Sequence, residues 1–145
     1  MHDKNPNIET LNMVYQGARM GVESISYLLP KVKNQDFKKE LASQMLGYHN
    51  FVKNSSQQLH DASHFPHDLN LTEKIPMYAS LQMKSMVDSS VSHIAEMMIE
   101  GSTMGIIGIQ KSLNKHKNLT AEVAQTGQNV ISFEQANIDK LKKYL

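Results

Sequence analysis

Apolar residues in this chain recur every three or four positions over long stretches and nowhere alternate. Ile8, Leu11, Tyr15, Ala18, Val22, Ile25 and Leu29 share one face of a helix that Asn5-Pro6 opens and Pro30 ends. Phe37, Leu41, Met45, Tyr48, Val52 and Leu59 form a second stripe, opened by Asn34 or Asp36 and fading near Ser63. Asp88-Ser89-Ser90 caps a segment ending in Lys111, Lys115, His116 and Lys117, where basic groups suit the negative pole of a helix. Thr120 opens the last segment, with Val123, Val130, Phe133, Asn137, Leu141 and Leu145 on one face. Such a pattern confines the chain to an all-α fold. The expected long helices cover about 6–29, 35–62, 90–115 and 120–144, with a short one over about 73–87.

At 145 residues the chain is sized for a single domain. Tight joints at 31–34 and 117–119 make two antiparallel hairpins. The connection between them is far longer, about 25 residues over 63–90. A second helix of this length spans roughly 42 Å at 1.5 Å per residue. A connection able to return along that length, with a short extra helix within it, predicts a ferritin-like four-helix bundle with one long crossover.

Composition removes several functions. Fifteen basic residues against fourteen acidic leave a net charge of +1, and Arg19 is the only arginine. That balance gives no electrostatic basis for a nucleic-acid or anionic-membrane partner. Without cysteine there is no disulfide, thiolate chemistry or cysteine-ligated zinc. The most apolar stretch, 94–109, is too short to span a bilayer and carries Glu96 and Glu100. The opening residues lack a signal-peptide apolar run, so the expectation is a cytoplasmic protein.

Three stretches carry a family likeness: Leu11-Asn12-Met13-Val14-Tyr15-Gln16 with Met20-Gly21-Val22, Ser92-His93-Ile94-Ala95-Glu96-Met97-Met98 through Gly101-Ser102-Thr103-Met104-Gly105-Ile106, and Phe133-Glu134-Gln135 to Lys142. In these the chain resembles uncharacterised ferritin-like four-helix-bundle proteins of Gram-positive bacteria. The resemblance implies a fold more than an activity.

A ferritin-like di-metal centre takes a Glu from each of two helices and Glu-x-x-His from each of the other two. Here the corresponding supply is Glu23, Glu96, Glu100 and Glu134, with His93 beside Glu96. Asn137 stands where the fourth helix would offer His, and His49 has Leu46 three residues earlier instead of Glu. Antiparallel register sets Glu23 near Ala42, roughly 10 Å along the axis from His49, and Glu100 beside Gln135 and close to Glu134. Half of a site is written, for iron, manganese or zinc. Glu23 also has Arg19 one turn away on its own face, and Glu96 and Glu100 read equally as a solvated edge. A second candidate, His60, His64 and His67, fits zinc, copper or nickel if the first two share a helical face. The chain shows no His-Glu-x-x-His, nucleophile elbow or phosphate-binding glycine loop, so no catalytic or cofactor-binding residue is assigned.

Glycine gives the strongest signal. Gly101, Gly105 and Gly108 form one stripe with Ser112, and Gly17 and Gly21 a shorter one. Each costs about 1 kcal/mol relative to alanine in a helix interior. Close helix packing, within the chain or against a second copy, would offset that cost. The ten methionines read as adaptable core filler. The function expected is that of a non-catalytic, self-associating bundle, a homo-oligomer such as a dimer, acting through binding or assembly with a protein or small-molecule partner. The alternative is a degenerate carboxylate-type metal protein handling iron or redox chemistry.

Overall fold

A computed structural model of the chain describes residues 5–67 and 88–145. Among them lie four long helices and no strand: α1 (Pro6–Leu28), α2 (Gln35–Asp61), α3 (Val91–Lys115) and α4 (Ala121–Leu141). Single 3-10 turns follow α1 at Leu29–Lys31 and α4 at Lys142–Tyr144. The helix expected over 73–87 falls outside the described residues. No helix among those described is long and apolar enough to cross a membrane.

Each helix begins where a side chain can accept from its orphan amides. Asn5 accepts from the Asn7 amide at 2.9 Å, ahead of Pro6 at the first helical position. Asn34 accepts from Phe37 at 2.9 Å, Ser90 from His93 at 3.2 Å and Thr120 from Val123 at 3.3 Å. α2 stops at Asp61, and Ser63, with φ of 60°, turns the chain away.

α1 packs mainly along α2, and α3 along α4. In the first hairpin Gly21 lies against the Tyr48 ring and Ser26 against Met45, a register a few residues away from the expected one. In the second, Ser102 reaches Glu134, close to the expected level. One core cluster includes Leu28, Phe37, Leu41, Ile94 and Leu141, all fully buried, with Tyr144 stacked on Phe37 at 4.7 Å. A smaller one joins Ile8, Leu11, Tyr15, Leu59 and Val123. The first turns of α1 meet the far end of α3 through the buried Thr10–Ser112 hydroxyl pair at 2.9 Å. His116 Nε2 lies 3.3 Å from Glu9, and the Thr120 amide donates to Asn7 at 2.9 Å.

The glycines of the two stripes divide: a Cβ on Gly21 would sit 2.7 Å from the Tyr48 ring and one on Gly105 2.6 Å from Glu134, so both lie close against a neighbouring helix. Among the described residues, a Cβ on Gly17 or Gly101 would meet nothing within 4 Å, and one on Gly108 would meet only the Met13 methyl at 3.7 Å. The tightest approach at any described glycine is at Gly47, where a Cβ would sit 2.1 Å from the Phe133 ring. Phe133 is itself held edge-on to Tyr48 and Phe51, with centroids at 5.0 and 5.2 Å. Two alanine substitutions should therefore move stability in opposite directions. Gly101→Ala should stabilise by up to about 1 kcal/mol through helix propensity alone. Gly47→Ala should cost about 1–3 kcal/mol by displacing a wedged ring. Urea titration of the two variants beside the wild type reads both signs.

Candidate functional site

One carboxylate stands among the buried residues described, that of Glu134 at 5 % exposure. An unpaired carboxylate costs several kcal/mol to bury, so its partners matter. α2 supplies the Tyr48 hydroxyl, which donates to Oε1 in a very short hydrogen bond. α3 supplies Ser102, whose Oγ donates to the same oxygen at 3.3 Å. From one turn further along α4, Asn137 Nδ2 donates to it at 3.4 Å. Three helices thus converge on a single atom.

The second oxygen is treated differently. No donor among the described residues reaches Oε2, which lies over Gly105; a Cβ on that glycine would sit 2.6 Å from it. Gly105 and Glu134 both border a cavity of about 400 Å³. Its walls come from all four helices: Met13, Gly17 and Gly21 of α1, Tyr48 and Phe51 of α2, Met97, Met98, Gly101 and Gly108 of α3, Val130 and Phe133 of α4. Met20, Met104, Gly17 and Gly101 are exposed and mark its mouth. The five glycines of the two stripes all border it. Gly17, Gly101 and Gly108 leave room in it, while Gly21 and Gly105 lie against Tyr48 and Glu134.

Burial dominates the electrostatics. It pushes the Glu134 carboxyl up to about 7, against the opposing effect of its three donors. Burial, and then the Glu134 charge beside it, raise the Tyr48 phenol well above its ordinary range. Tyr48 is therefore a fixed donor and a poor acid. Neutral pH lies near the midpoint of Glu134, which borders the hollow.

The metal residues expected from the sequence do not assemble. No group of three or more His, Asp or Glu among the described residues could hold an ion. Glu23 pairs with Arg19 at 3.3 Å, and Glu96 lies 3.6 Å from His93. Glu96 and Glu100 are exposed, whereas Ser102 faces Glu134. The reason is angular: at about 100° per residue, Glu100 lies some 200° around α3 from Ser102. His49 is exposed on α2. The second candidate fails because α2 ends before His64, whose Nδ1 lies 2.8 Å from the Ala62 carbonyl. His67 is tied back to α1 by its backbone, accepting from Gln16 at 2.8 Å and donating to Asn12 at 3.0 Å.

Sequence reasoning had Glu134 but missed Tyr48, Ser102 and Asn137 as its partners. A signal was present. Asn137 and Tyr48 both fall on stripes that read as buried, and a polar group on a buried stripe requires a partner. Comparisons of the chain with protein-family models, curated proteins and solved structures find no match.

The raised carboxyl has a pH consequence. Folding favours its protonated form, so its contribution is fully present below the ordinary value near 4.5 and is lost as pH rises towards about 7. The loss is on the order of 3 kcal/mol for a shift of this size. Glu134→Gln keeps an acceptor for the three donors and removes the titration. Its stability difference from the wild type should grow in the variant's favour between about pH 4.5 and 7 and then level off, as measured by urea unfolding across pH. A difference independent of pH would contradict the raised carboxyl.

Proposed function

We propose that the chain is a non-catalytic, ferritin-like helical bundle that works by holding a small, largely apolar molecule in the cavity between its hairpins. The observation that carries this reading is the cavity itself. Its volume of about 400 Å³ lies in the range of small-molecule sites, and its walls are methionine, aromatic and glycine with one polar cluster. Methionine suits such a wall because an unbranched thioether adapts to varied shapes. The polar cluster favours binding over catalysis, since Tyr48 holds its proton and the three donors fix an acceptor in place.

Helix ends support the ferritin-like path. Leu59, near the end of α2, clusters with Ile8 and Leu11 at the start of α1. Ile94, near the start of α3, clusters with Leu28 and Phe37 at the other end. The end of α2 and the start of α3 therefore lie at opposite ends of the bundle, the placement that one long crossover requires. The alternative, a carboxylate-type metal protein, has no assembled ligand group behind it among the described residues.

Gly101 offers a way to close the cavity without breaking the fold. Gly101→Leu places a side chain where a Cβ meets nothing within 4 Å among the described residues, and leucine is the better helix former. Diphenylhexatriene, a neutral hydrocarbon that fluoresces in apolar sites, should bind the wild-type protein at one per chain. The Gly101→Leu variant should melt no lower and bind it at least tenfold more weakly. Equal binding by both proteins, or none by the wild type, would overturn the reading. Purified without a histidine tag, the protein should keep its melting temperature in the presence of a chelator. A chelator-dependent loss would favour the metal alternative.

A further inference from the structure

The cavity is chemically lopsided. Among the described residues lining it there is no Lys, Arg or His, and Glu134 is the one charged side chain. Around that carboxylate stand Tyr48 from α2, Ser102 and Gly105 from α3 and Asn137 from α4, all uncharged groups. α1 contributes Gly17, Gly21 and Ser24 to the walls, while Arg19 is paired with Glu23 at 3.3 Å. Donors from the protein occupy Oε1 only, so Oε2 has acceptor capacity for something that enters. The rings of Tyr48 and Phe133, at 85° to each other, line the same cavity together with Phe51. A carboxylate in a cavity walled by aromatic rings attracts positive charge through the ion, and ring quadrupoles facing the cavity add to it.

We propose that the occupant is an apolar organic cation: an amine whose ammonium group is held at Glu134 Oε2, beside Tyr48 and Phe133, while its hydrocarbon body lies among the methionines. This rests on the cavity-binding reading above. An ammonium supplies the donors that Oε2 lacks. An alcohol supplies one donor and no charge. A carboxylate would bring a second negative charge into a site whose described residues include no cation to balance it. Without an occupant, the carboxyl is pushed up to about 7 by burial; a bound cation opposes that push and favours the ionised form. Amine binding should therefore strengthen as pH rises through that region, in contrast to binding of a neutral molecule.

The test uses the full chain and three probes sharing one hydrocarbon tail: octylamine, octanol and octanoate, each titrated calorimetrically at pH 8. Octylamine should bind at least tenfold more tightly than octanol, with octanoate weakest. Glu134→Gln should erase the amine's advantage while leaving octanol affinity nearly unchanged. In the wild type, lowering the pH to 6 should weaken octylamine about tenfold, because most of Glu134 is then protonated, and should leave octanol unaffected. This pH comparison needs no variant, so a poorly folding Glu134→Gln would not protect the proposal. If octanol or octanoate binds as tightly as octylamine, or if the amine preference survives Glu134→Gln, the cation proposal fails and the cavity reading stands. If none of the three binds, both fail.

Discussion

A carboxylate whose donors all arrive at one oxygen sits in the middle of this bundle, and the level of three helices depends on it. Tyr48, Ser102 and Asn137 reach Glu134 Oε1 from α2, α3 and α4. A slip of α3 by one residue would rotate Ser102 through about 100° and withdraw its hydroxyl. The apolar contacts above and below are more forgiving, because aliphatic side chains re-pack at modest cost. Hydrogen bonds to a buried charge are not forgiving, since an orphaned carboxylate loses far more. The polar cluster therefore sets register where hydrophobic burial alone would leave it loose.

The glycines gather at the same site. Tyr48 packs edge to face on Phe133, and Phe133 on Phe51. Among the described residues nothing lies within 4 Å of a Cβ on Gly17 or Gly101, and both border the hollow with Gly108. Gly105 has a separate part, leaving room for Oε2. Helix propensity given up along two faces is converted into volume beside a charge.

Much of this architecture was legible before any coordinates. Asn5, Asn34, Ser90 and Thr120 act as caps because a short polar side chain before an apolar period has few other uses. The buried stripes follow from the same periodicity. The cavity was not legible, and the reason is physical. Periodicity reports which face points inward but not how far away the facing helix lies. A glycine stripe is compatible with contact and with a hollow alike. The carboxylates show the same limit: Glu96, Glu100 and Glu134 are near in level, while the first two are exposed and the last is buried. Axial arithmetic placed them, and the angle around α3 separated them.

The chemical identity of residue 134 sharpens the argument for a bound molecule. A glutamine there would be nearly isosteric and could accept from Tyr48, Ser102 and Asn137 through its carbonyl oxygen. It would avoid most of the desolvation that displaces the carboxyl's titration. Everything the protein itself asks of this side chain, register and satisfied donors, an amide can give. What the carboxylate adds is negative charge on the oxygen that the protein leaves without a donor, at the wall of an apolar cavity. Within the bundle that charge is a cost, and groups held at such a cost concentrate where a protein meets its ligand. The part of Glu134 that folding does not use is the part that a cation would.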